Sequence, residues 1–182
     1  MKASSSTSTE GPGMNGLSAS HQVAPPDSVQ HLSFRVRDAR YALPIELVRE
    51  IIEYGQVTTV PMMPSFIHGV INLRGNVVPV LDLAARFGFE LTQPGKRTCI
   101  VIIELNLDEQ QQRIGLVVDA VDAVLDIEPG EVEQAPPFGA GIRTDFIAGM
   151  ARDNGGFTII IDVRRVLSLD DIRQLSLAQQ AS

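Results

Sequence analysis

The sequence predicts a mainly β protein built from two similar small barrels, and three observations support this fold class. Of the 182 residues, 44% are hydrophobic but only 5% are aromatic, and Trp is absent. The core must therefore consist mostly of Val, Ile and Leu, and the β-branched members of this set favour strands. The apolar residues occur in short runs separated by Gly, Pro, Asn and Asp, which are typical turn residues. The third observation is an internal repeat at an offset of 80 residues.

The repeat relates residues 66–82 to residues 146–162, and each copy has two apolar runs flanking a turn, which predicts a β-hairpin. The identical positions are Phe66 and Phe146, Ile67 and Ile147, Gly69 and Gly149, Gly75 and Gly155, and Asp82 and Asp162. Two consecutive units of about five short strands each indicate a pair of small barrels. Neither unit would bury much core alone, so we expect a shared apolar interface between them.

The first predicted subdomain spans about residues 31–89 and follows a Ser-, Thr-, Gly- and Pro-rich segment, residues 1–28, which we expect to be a disordered tail. Its strands are predicted from the alternation of apolar and polar residues, and their ends from turn residues. Its short helix is predicted to end at a glycine. Its predicted elements are strands at 32–36, 40–43 and 48–60, a helical turn starting at Pro44, the hairpin at 66–82 and a short helix at 83–87. Asp82 precedes that helix, where Asp is a favoured N-cap.

The second predicted subdomain spans about residues 97–167 and repeats this order after a linker that contains Pro94 and Gly95. Its predicted elements are strands at 98–105, 113–118 and 121–132, a polar turn at 106–112, the hairpin at 146–162 and a short helix at 163–167. Ser168 followed by Asp171 approximates a capping box, which predicts a C-terminal helix at about 168–178. The folded domain as a whole is predicted to span 29–178.

Charge and composition argue against several classes of function. A formal net charge of −7 disfavours a nucleic-acid backbone or an anionic membrane as the main partner. The apolar runs are far shorter than the roughly 18 residues that span a bilayer. Cys99 is the one cysteine, so an internal disulfide is impossible, which agrees with a cytoplasmic location. Without paired His or Cys ligands, we expect no metal and no cofactor.

Asp82 and Asp162 raise one enzyme hypothesis, because paired aspartates from duplicated halves can share a proton and activate water. Each is followed by a bulky apolar residue rather than by the small residues that hold such a pair together. Helix capping is the simpler interpretation. The acidic run Asp119, Asp122, Asp126 and Glu128 lacks calcium-loop spacing and indicates a solvated strand edge. We therefore expect a binding protein and not an enzyme.

Arg74 departs from the internal repeat. It lies at the turn of the first hairpin, where the second copy has Asn154, an ordinary turn residue. An arginine has no conformational preference for such a turn, and it is disfavoured there if φ is positive. A solvated surface charge is one interpretation. The other is a fixed guanidinium that binds a partner's carboxylate or amide.

Residues 31–176 resemble the CheW family of chemotaxis coupling proteins. The hairpin FIHGVINLRGNVVPVLDL is similar to that family's most recognisable block, and VREII (48–52), GLVVD (115–119) and FIAG (146–149) follow in the family's order. The resemblance implies two SH3-like five-stranded barrels that share an apolar core. It also implies a cytoplasmic adaptor, recruited to receptor arrays at the inner face of the membrane, that joins methyl-accepting chemotaxis receptors to the kinase CheA.

The resemblance also implies two sets of contact residues. The receptor-binding groove corresponds to Val48, Arg74, Cys99 and Val121, and the contact with the CheA regulatory domain to Glu50, Ile51, His68 and Gly69. Two other hypotheses stay open. One is a CheW-like adaptor of a non-flagellar pathway, such as twitching motility or second-messenger control. The other is the paired-aspartate hydrolase.

Overall fold

The computed structural model describes residues 28–107, 109–134, 144–153 and 156–167. The strands are β1 (Val29–Val36), β2 (Ala39–Pro44), β3 (Val48–Glu53), β4 (Ile67–Leu73), β5 (Asn76–Asp82), β6 (Cys99–Leu107), β7 (Gln110–Val118), β8 (Ala120–Ile127), β9 (Val132–Glu133), β10 (Ile147–Asp153) and β11 (Gly156–Ile161). The helices are α1 (Leu83–Arg86) and α2 (Val163–Val166), with single 3-10 turns at Ile45–Leu47, Pro129–Glu131 and Thr144–Phe146. The predicted mainly β fold class is confirmed.

Two sheets account for all of these strands. The first has the order β3-β6-β7-β5-β4, and the second has the order β8-β1-β2-β11-β10-β9. The segment after β3 returns to the opposite edge of the first sheet, where Thr58 pairs with Val70. In the second sheet β9 follows β8 and pairs with β10 at the far edge. Each sheet is thereby closed into a small barrel, which leaves little open edge.

The barrels do not follow the predicted division into residues 31–89 and 97–167. Barrel one contains β3 to β7, whereas barrel two combines β8 to β11 with the N-terminal hairpin β1–β2. β1 pairs with β8, and β2 lies parallel to β11. The prediction was wrong at this point because alternation of side chains identifies the faces of a strand but not its pairing partner. Barrel two is thus a circular permutation of barrel one.

Two predicted strand limits also differ from the structure. Regular pairing of the third strand ends at Glu53 rather than continuing to residue 60. The predicted polar turn at 106–112 is mostly strand, because Asn106 pairs with Gln111 and Leu107 with Gln110. The predicted tail, the tip residues Asn154 and Gly155, and the C-terminal helix at 168–178 lie outside the described residues.

The core has three parts. Between the barrels lies the largest cluster, in which the rings of Phe34, Tyr41, Phe87 and Phe146 follow one another at centroid distances of 6.2, 5.0 and 6.2 Å. The interior of barrel one contains Ile71, Val78, Val80, Ile100, Ile102 and Val117. The interior of barrel two contains Ile127, Ala151 and Ile160. The shared apolar interface therefore holds the two barrels together.

Candidate partner-binding surface

Arg74 occupies the tip of the β4–β5 hairpin in a left-handed conformation, with φ of +52°. Gly75 follows with φ of +87°, and its N–H donates to the side-chain oxygen of Asn72 at 2.9 Å. A non-glycine residue in this region carries backbone strain. The Arg74 side chain is 68% exposed, and its guanidinium forms an ion pair with Glu50 on β3. Glu50 thus aligns the exposed guanidinium along the edge of barrel one.

The three aliphatic or thiol residues of the predicted groove all lie at the margin of the shared core. Val48, Cys99 and Val121 are partly buried and pack against that cluster. Val48 and Cys99 belong to the paired strands β3 and β6, and Val121 belongs to β8 of barrel two. Because Val48 pairs with Ile103, it lies about four residues from Cys99 along the sheet, or roughly 13 Å. The three side chains therefore flank the seam between the barrels.

Arg74 does not pack against the shared core, and it contacts β3 through its ion pair with Glu50. Its partner Glu50 lies two residues beyond Val48, and the register of β3 against β6 shifts between Val48 and Glu50. Such an irregularity redirects the side chains on its two sides. Val48 accordingly packs on the shared core, whereas Ile52 packs against the interior of barrel one. The structure thus places Val48, Cys99 and Val121 along the seam, and it holds the Arg74 guanidinium against Glu50 on the other side of this irregularity.

The second predicted set lies where barrel one closes. Ile51 is 41% exposed on β3, and Glu50 next to it is half-buried. His68 and Gly69 lie on β4, the strand that receives Thr58. A Cβ at Gly69 would lie 2.1 Å from the Thr58 carbonyl oxygen. Gly69 therefore has a packing role of its own, which allows the chain after β3 to approach β4.

His68 belongs to a polar chain that sequence reasoning missed. Its Nε2 shares a hydrogen bond with the Tyr54 hydroxyl at 2.6 Å, and its Nδ1 lies 3.8 Å from Oδ2 of Asp82. Burial, and then the negative charge of Asp82, raise the pKa of the Tyr54 phenol above its ordinary value. Tyr54 and Asp82 are 28 residues apart, and no spacing rule connects such positions.

Arg86, also missed, lies over two of the repeated aromatic residues. Its guanidinium carbon is 4.5 Å from the Phe66 ring centroid and 5.1 Å from that of Phe146. Its Nε donates to the Val166 carbonyl oxygen at 2.7 Å. This side chain connects α1 of barrel one to α2 of barrel two. An arginine in the last turn of a short helix has no sequence signal for such a contact.

Asp82 and Asp162 both cap helices, as predicted. Asp82 accepts from the backbone N–H of Ala84 at 2.9 Å and of Ala85 at 3.3 Å, and Asp162 accepts from the N–H of Arg165 at 3.3 Å. Each carboxylate thus interacts with the backbone of the helix that follows it. This use of both carboxylates favours the capping interpretation over the paired-aspartate hypothesis.

The predicted acidic run is solvated in part: Asp126 and Glu128 are exposed, whereas Asp119 and Asp122 are partly buried. β8 is an edge strand of its sheet, but Asp122 lies between two cations, 3.4 Å from Arg35 Nε and 3.2 Å from Arg40 Nε. Asp119 accepts from the backbone N–H of Arg37 at 2.6 Å. These two carboxylates therefore connect β8 and the residue before it to the N-terminal hairpin. This hairpin belongs to barrel two, although it was predicted in the first subdomain.

Three further observations concern the thiol, metal ligands and membrane spans. Burial, and then the charge of Glu53, raise the pKa of the Cys99 thiol, which keeps it in the less reactive protonated form. Across the described ranges, no three His, Cys, Asp or Glu side chains are arranged to hold a metal ion. Within those same ranges, no helix has the length and apolar character needed to cross a membrane.

Comparisons with known proteins agree with this architecture. A family model described as CheW-like domain matches residues 30–171. Over 137 residues the chain is 33% identical to the chemotaxis protein CheW of Bacillus subtilis, covering 74% of this chain and 83% of that protein. Over 143 residues it is 30% identical to the chemotaxis protein CheW of Klebsiella aerogenes, covering 79% and 84%. The crystal structure of the scaffolding protein TtCheW from Thermoanaerobacter tengcongensis matches with a TM-score of 0.71 and 33% identity, covering 81% and 92%.

Proposed function

The chain belongs to the CheW-like domain family of chemotaxis scaffold proteins, and from this premise we propose that it is a non-enzymatic adaptor between receptor and kinase. One surface binds the cytoplasmic tip of methyl-accepting chemotaxis receptors, and another binds the regulatory domain of CheA. The adaptor acts in the cytoplasm, at receptor arrays on the inner face of the membrane. The observation that carries this proposal is the match of a CheW-like family model to residues 30–171, and the exposed Arg74 guanidinium at the tip of the first hairpin supports it.

The seam has the chemistry that an amphipathic helix requires. A helix in a groove buries apolar side chains against aliphatic walls and is oriented by a small number of polar anchors. Val48, Cys99 and Val121 supply the walls, because each is partly buried at the margin of the shared core. Arg74 supplies the anchor, since a guanidinium donates several hydrogen bonds to carboxylate or carbonyl oxygens. The receptor tip that this family binds is a helical hairpin, so one of its helices fits a groove of this chemistry.

The kinase contact is assigned to the closing edge of barrel one. Ile51 exposes an aliphatic side chain on β3, Glu50 precedes it in sequence, and His68 lies on β4 with its ring bonded to Tyr54. An apolar centre with a polar rim is typical of protein–protein interfaces. Gly69 is buried and supports this edge from beneath, because it allows the chain at Thr58 to lie against β4. Since Glu50 also holds Arg74, the two proposed contact surfaces meet at one ion pair.

Substitution of Arg74 tests the receptor surface. In a mixture of receptor signalling fragment, kinase and adaptor, we expect Arg74→Glu to weaken receptor binding by about 2 kcal/mol, roughly 30-fold in Kd, and to abolish receptor-dependent kinase activation. The free energy of unfolding should change little, because the side chain is 68% exposed. Receptor-dependent activation at the wild-type level would contradict the role of Arg74.

Two control variants separate the anchor from its ion pair. Glu50→Gln removes the partner carboxylate but keeps the Arg74 cation, so receptor binding should stay within a few-fold of the wild type. In Arg74→Glu with Glu50→Arg the ion pair is restored in reverse, and receptor binding should stay lost. If this double variant bound the receptor normally, the pair would be structural and the anchor hypothesis wrong.

The pathway that the adaptor serves requires a separate measurement. A non-flagellar chemosensory pathway would use the same surfaces with a different receptor and kinase. Co-purification of the adaptor from its own cells, followed by identification of the kinase and receptor bound to it, distinguishes these pathways. Recovery of neither a CheA-type kinase nor a methyl-accepting receptor would contradict the adaptor function in both forms.

A further inference from the structure

Tyr54, His68 and Asp82 form a polar chain that leads from the surface of barrel one to a buried carboxylate. The Asp82 side chain is 0% exposed, that of His68 is 18% exposed, and Tyr54 is partly exposed. The Tyr54 ring packs against the interior of barrel one, and its hydroxyl oxygen lies 2.6 Å from His68 Nε2. Tyr54 directly follows β3, which carries Ile51. The outer end of the chain therefore lies at the edge to which the kinase contact is assigned.

The fold does not require a histidine at this position. At the offset of 80 residues, Asp162 corresponds to Asp82 and Ala148 to His68. The second hairpin has the same register shift as the first, and Asp162 caps the helix that follows it. Both the hairpin and the cap thus form with an alanine in place of the histidine. The polar chain of barrel one needs an explanation other than folding.

The charge of Asp82 favours one tautomer of neutral His68. Its Oδ2 lies 3.8 Å from His68 Nδ1, which is too far for a direct hydrogen bond. At this distance a carboxylate still attracts an N–H and repels a lone pair. The hydrogen of the neutral ring is therefore favoured on Nδ1, and Nε2 is left as an acceptor. The Tyr54 hydroxyl donates to that acceptor, so its hydrogen points inward.

We propose that Tyr54 is a specificity-determining contact of the kinase surface and that its oxygen accepts a hydrogen bond from the partner. His68 is the positioning residue, because it holds the hydroxyl hydrogen inward and leaves the oxygen lone pairs for the partner. The partner group is then a donor, such as a backbone N–H, a side-chain amide, an ammonium or a guanidinium. This inference rests on the proposed function, since it assumes that the kinase binds this edge.

Protonation of His68 reverses the hydrogen bond. In the described part of the chain, Tyr54 and Asp82 are the titratable groups against the His68 ring, and the segment at Thr58 that also pairs with β4 adds no charge. With hydrogen on both ring nitrogens, Nε2 donates to the Tyr54 oxygen, and the hydroxyl hydrogen turns outward. The donor of the partner then meets a donor. Histidines gain their proton as the pH falls below neutral, so kinase binding should weaken in that range.

Nitrogen-15 NMR of the imidazole rings tests the tautomer on the full chain without a kinase. The chain has three histidines, and the signals that disappear in His68→Gln belong to His68. At about pH 8 we expect the hydrogen on Nδ1 and a lone pair on Nε2, and at lower pH a hydrogen on both. A hydrogen on Nε2 at about pH 8 would overturn the inference, and it would leave the proposed function untouched.

Binding to the isolated regulatory domain of a CheA-type kinase, measured at about pH 8 and about pH 6, tests the contact. The wild-type affinity should fall at least about 3-fold at the lower pH. Tyr54→Phe should bind about 5-fold more weakly than the wild type at the higher pH, and its affinity should fall less with pH. His68→Gln can accept from Tyr54 through Oε1 but does not titrate. It should therefore recover part of the affinity lost in His68→Ala, and its affinity should not fall with pH.

The three proteins separate the possible failures. Equal affinity of Tyr54→Phe and the wild type at the higher pH would overturn the contact at Tyr54. The same fall with pH in the wild type, Tyr54→Phe and His68→Gln would assign that fall to the kinase and overturn the role of His68. A merely structural role of His68 would lower the affinity of its variants equally at both pH values. Absence of wild-type binding at either pH would contradict the proposed function itself, and with it this contact.

Discussion

Asp82 and Asp162 end equivalent hairpins, yet their carboxylates lie in different surroundings. Asp82 is 0% exposed and accepts from the Ala84 and Ala85 N–H groups, and also from the Thr92 N–H and hydroxyl, both at 2.9 Å. The Asp162 side chain is 36% exposed and has an ion pair with Arg165 at 3.6 Å. The local pattern is the same, but within the described residues a further segment of chain, at Thr92, covers Asp82 and none covers Asp162.

The bulge glycines of the two hairpins show the same contrast. Both hairpins change register next to the glycine, between Ile67 and Gly69 in one and between Ile147 and Gly149 in the other. A Cβ at Gly69 would meet the backbone oxygen of Thr58, whereas one at Gly149 would meet a methyl group of Val132 at 2.3 Å. Backbone cannot withdraw without breaking its pairing, but a side chain can rotate. Repetition of a residue therefore does not imply repetition of its energetic role.

Removal of the two carboxylates should produce the largest difference between the hairpins. Asp82→Ala leaves the buried Thr92 N–H and hydroxyl without an acceptor, so we expect the unfolding free energy to fall by about 3–5 kcal/mol. Asp162→Ala removes an exposed cap and should lower it by about 0.5–1 kcal/mol. Urea denaturation measures both values. If Asp82→Ala does not fold, Asp82→Asn should show an intermediate loss, and equal losses at the two sites would contradict the comparison.

Substitution of the bulge glycines should give a smaller difference. Gly69→Ala forces a backbone clash at a φ of +152°, so we expect a loss of about 2–4 kcal/mol in unfolding free energy. Gly149→Ala should cost about 1–2 kcal/mol, because Val132 can move. The matched repair is Val132→Ala, which should restore most of the stability of Gly149→Ala. Val57→Ala, the corresponding change near Gly69, should not restore Gly69→Ala, and equal rescue of both would make the contrast wrong.

The smallest effect is a pH dependence that belongs to the first hairpin. The residue at the position of His68 is Ala148 in the second hairpin, so only Asp82 has a His–Tyr chain beside it. Burial and Asp82 raise the pKa of Tyr54 from its ordinary value of 10.0. A raised pKa means that the folded state keeps its proton longer than the unfolded state does. The resulting stability is present below pH 10 and is lost as the pH rises through the folded-state pKa.

Tyr54→Phe should therefore flatten the alkaline loss of stability without removing it. Burial raises the pKa of Tyr41 to about 12, so that residue keeps a loss of the same sign in the variant. Urea denaturation at several pH values from about 8 to about 11 measures the slope. The variant should also lose a constant amount of about 1 kcal/mol for the hydrogen bond to His68. If the unfolding free energy of the variant fell with pH as steeply as that of the wild type, a raised Tyr54 pKa would not be the cause of the alkaline loss.

Much of the local structure could be predicted from the sequence. The two hairpins, the aspartate caps and the short helices α1 and α2 agree with their predicted positions. Other elements could not be placed. The strand predicted to continue to residue 60 ends at Glu53, and Asn106 and Leu107 pair with Gln111 and Gln110 despite the turn-like composition of this stretch. Polar residues on an exposed hairpin arm lose no burial by pairing, so polarity alone did not identify a turn there.

The candidate site was also predictable only in part, because some of its contacts join residues far apart in the sequence. Arg74 was identified because it departs from the internal repeat, and its positive φ shows that the position carries the expected backbone strain. Its partner Glu50 was assigned to a different surface, and nothing in a separation of 24 residues predicts that the two side chains meet. The residues Tyr54, Thr92 and Arg86 gave no signal at all. Their contacts exist only where distant strands and loops come together.

The sequence by itself determined the fold class, the hairpins, the helix caps and the departure of Arg74 from the turn residue of the second copy. These features depend on a few neighbouring residues, whose alternation, conformational preferences and capping side chains act over short distances. Only the tertiary structure decided that the N-terminal hairpin belongs to barrel two, that Glu50 aligns Arg74, and that Thr92 covers Asp82. The reason is that strand partners and interior volume depend on segments far apart in the chain, and a local pattern specifies which face is buried but not what covers it.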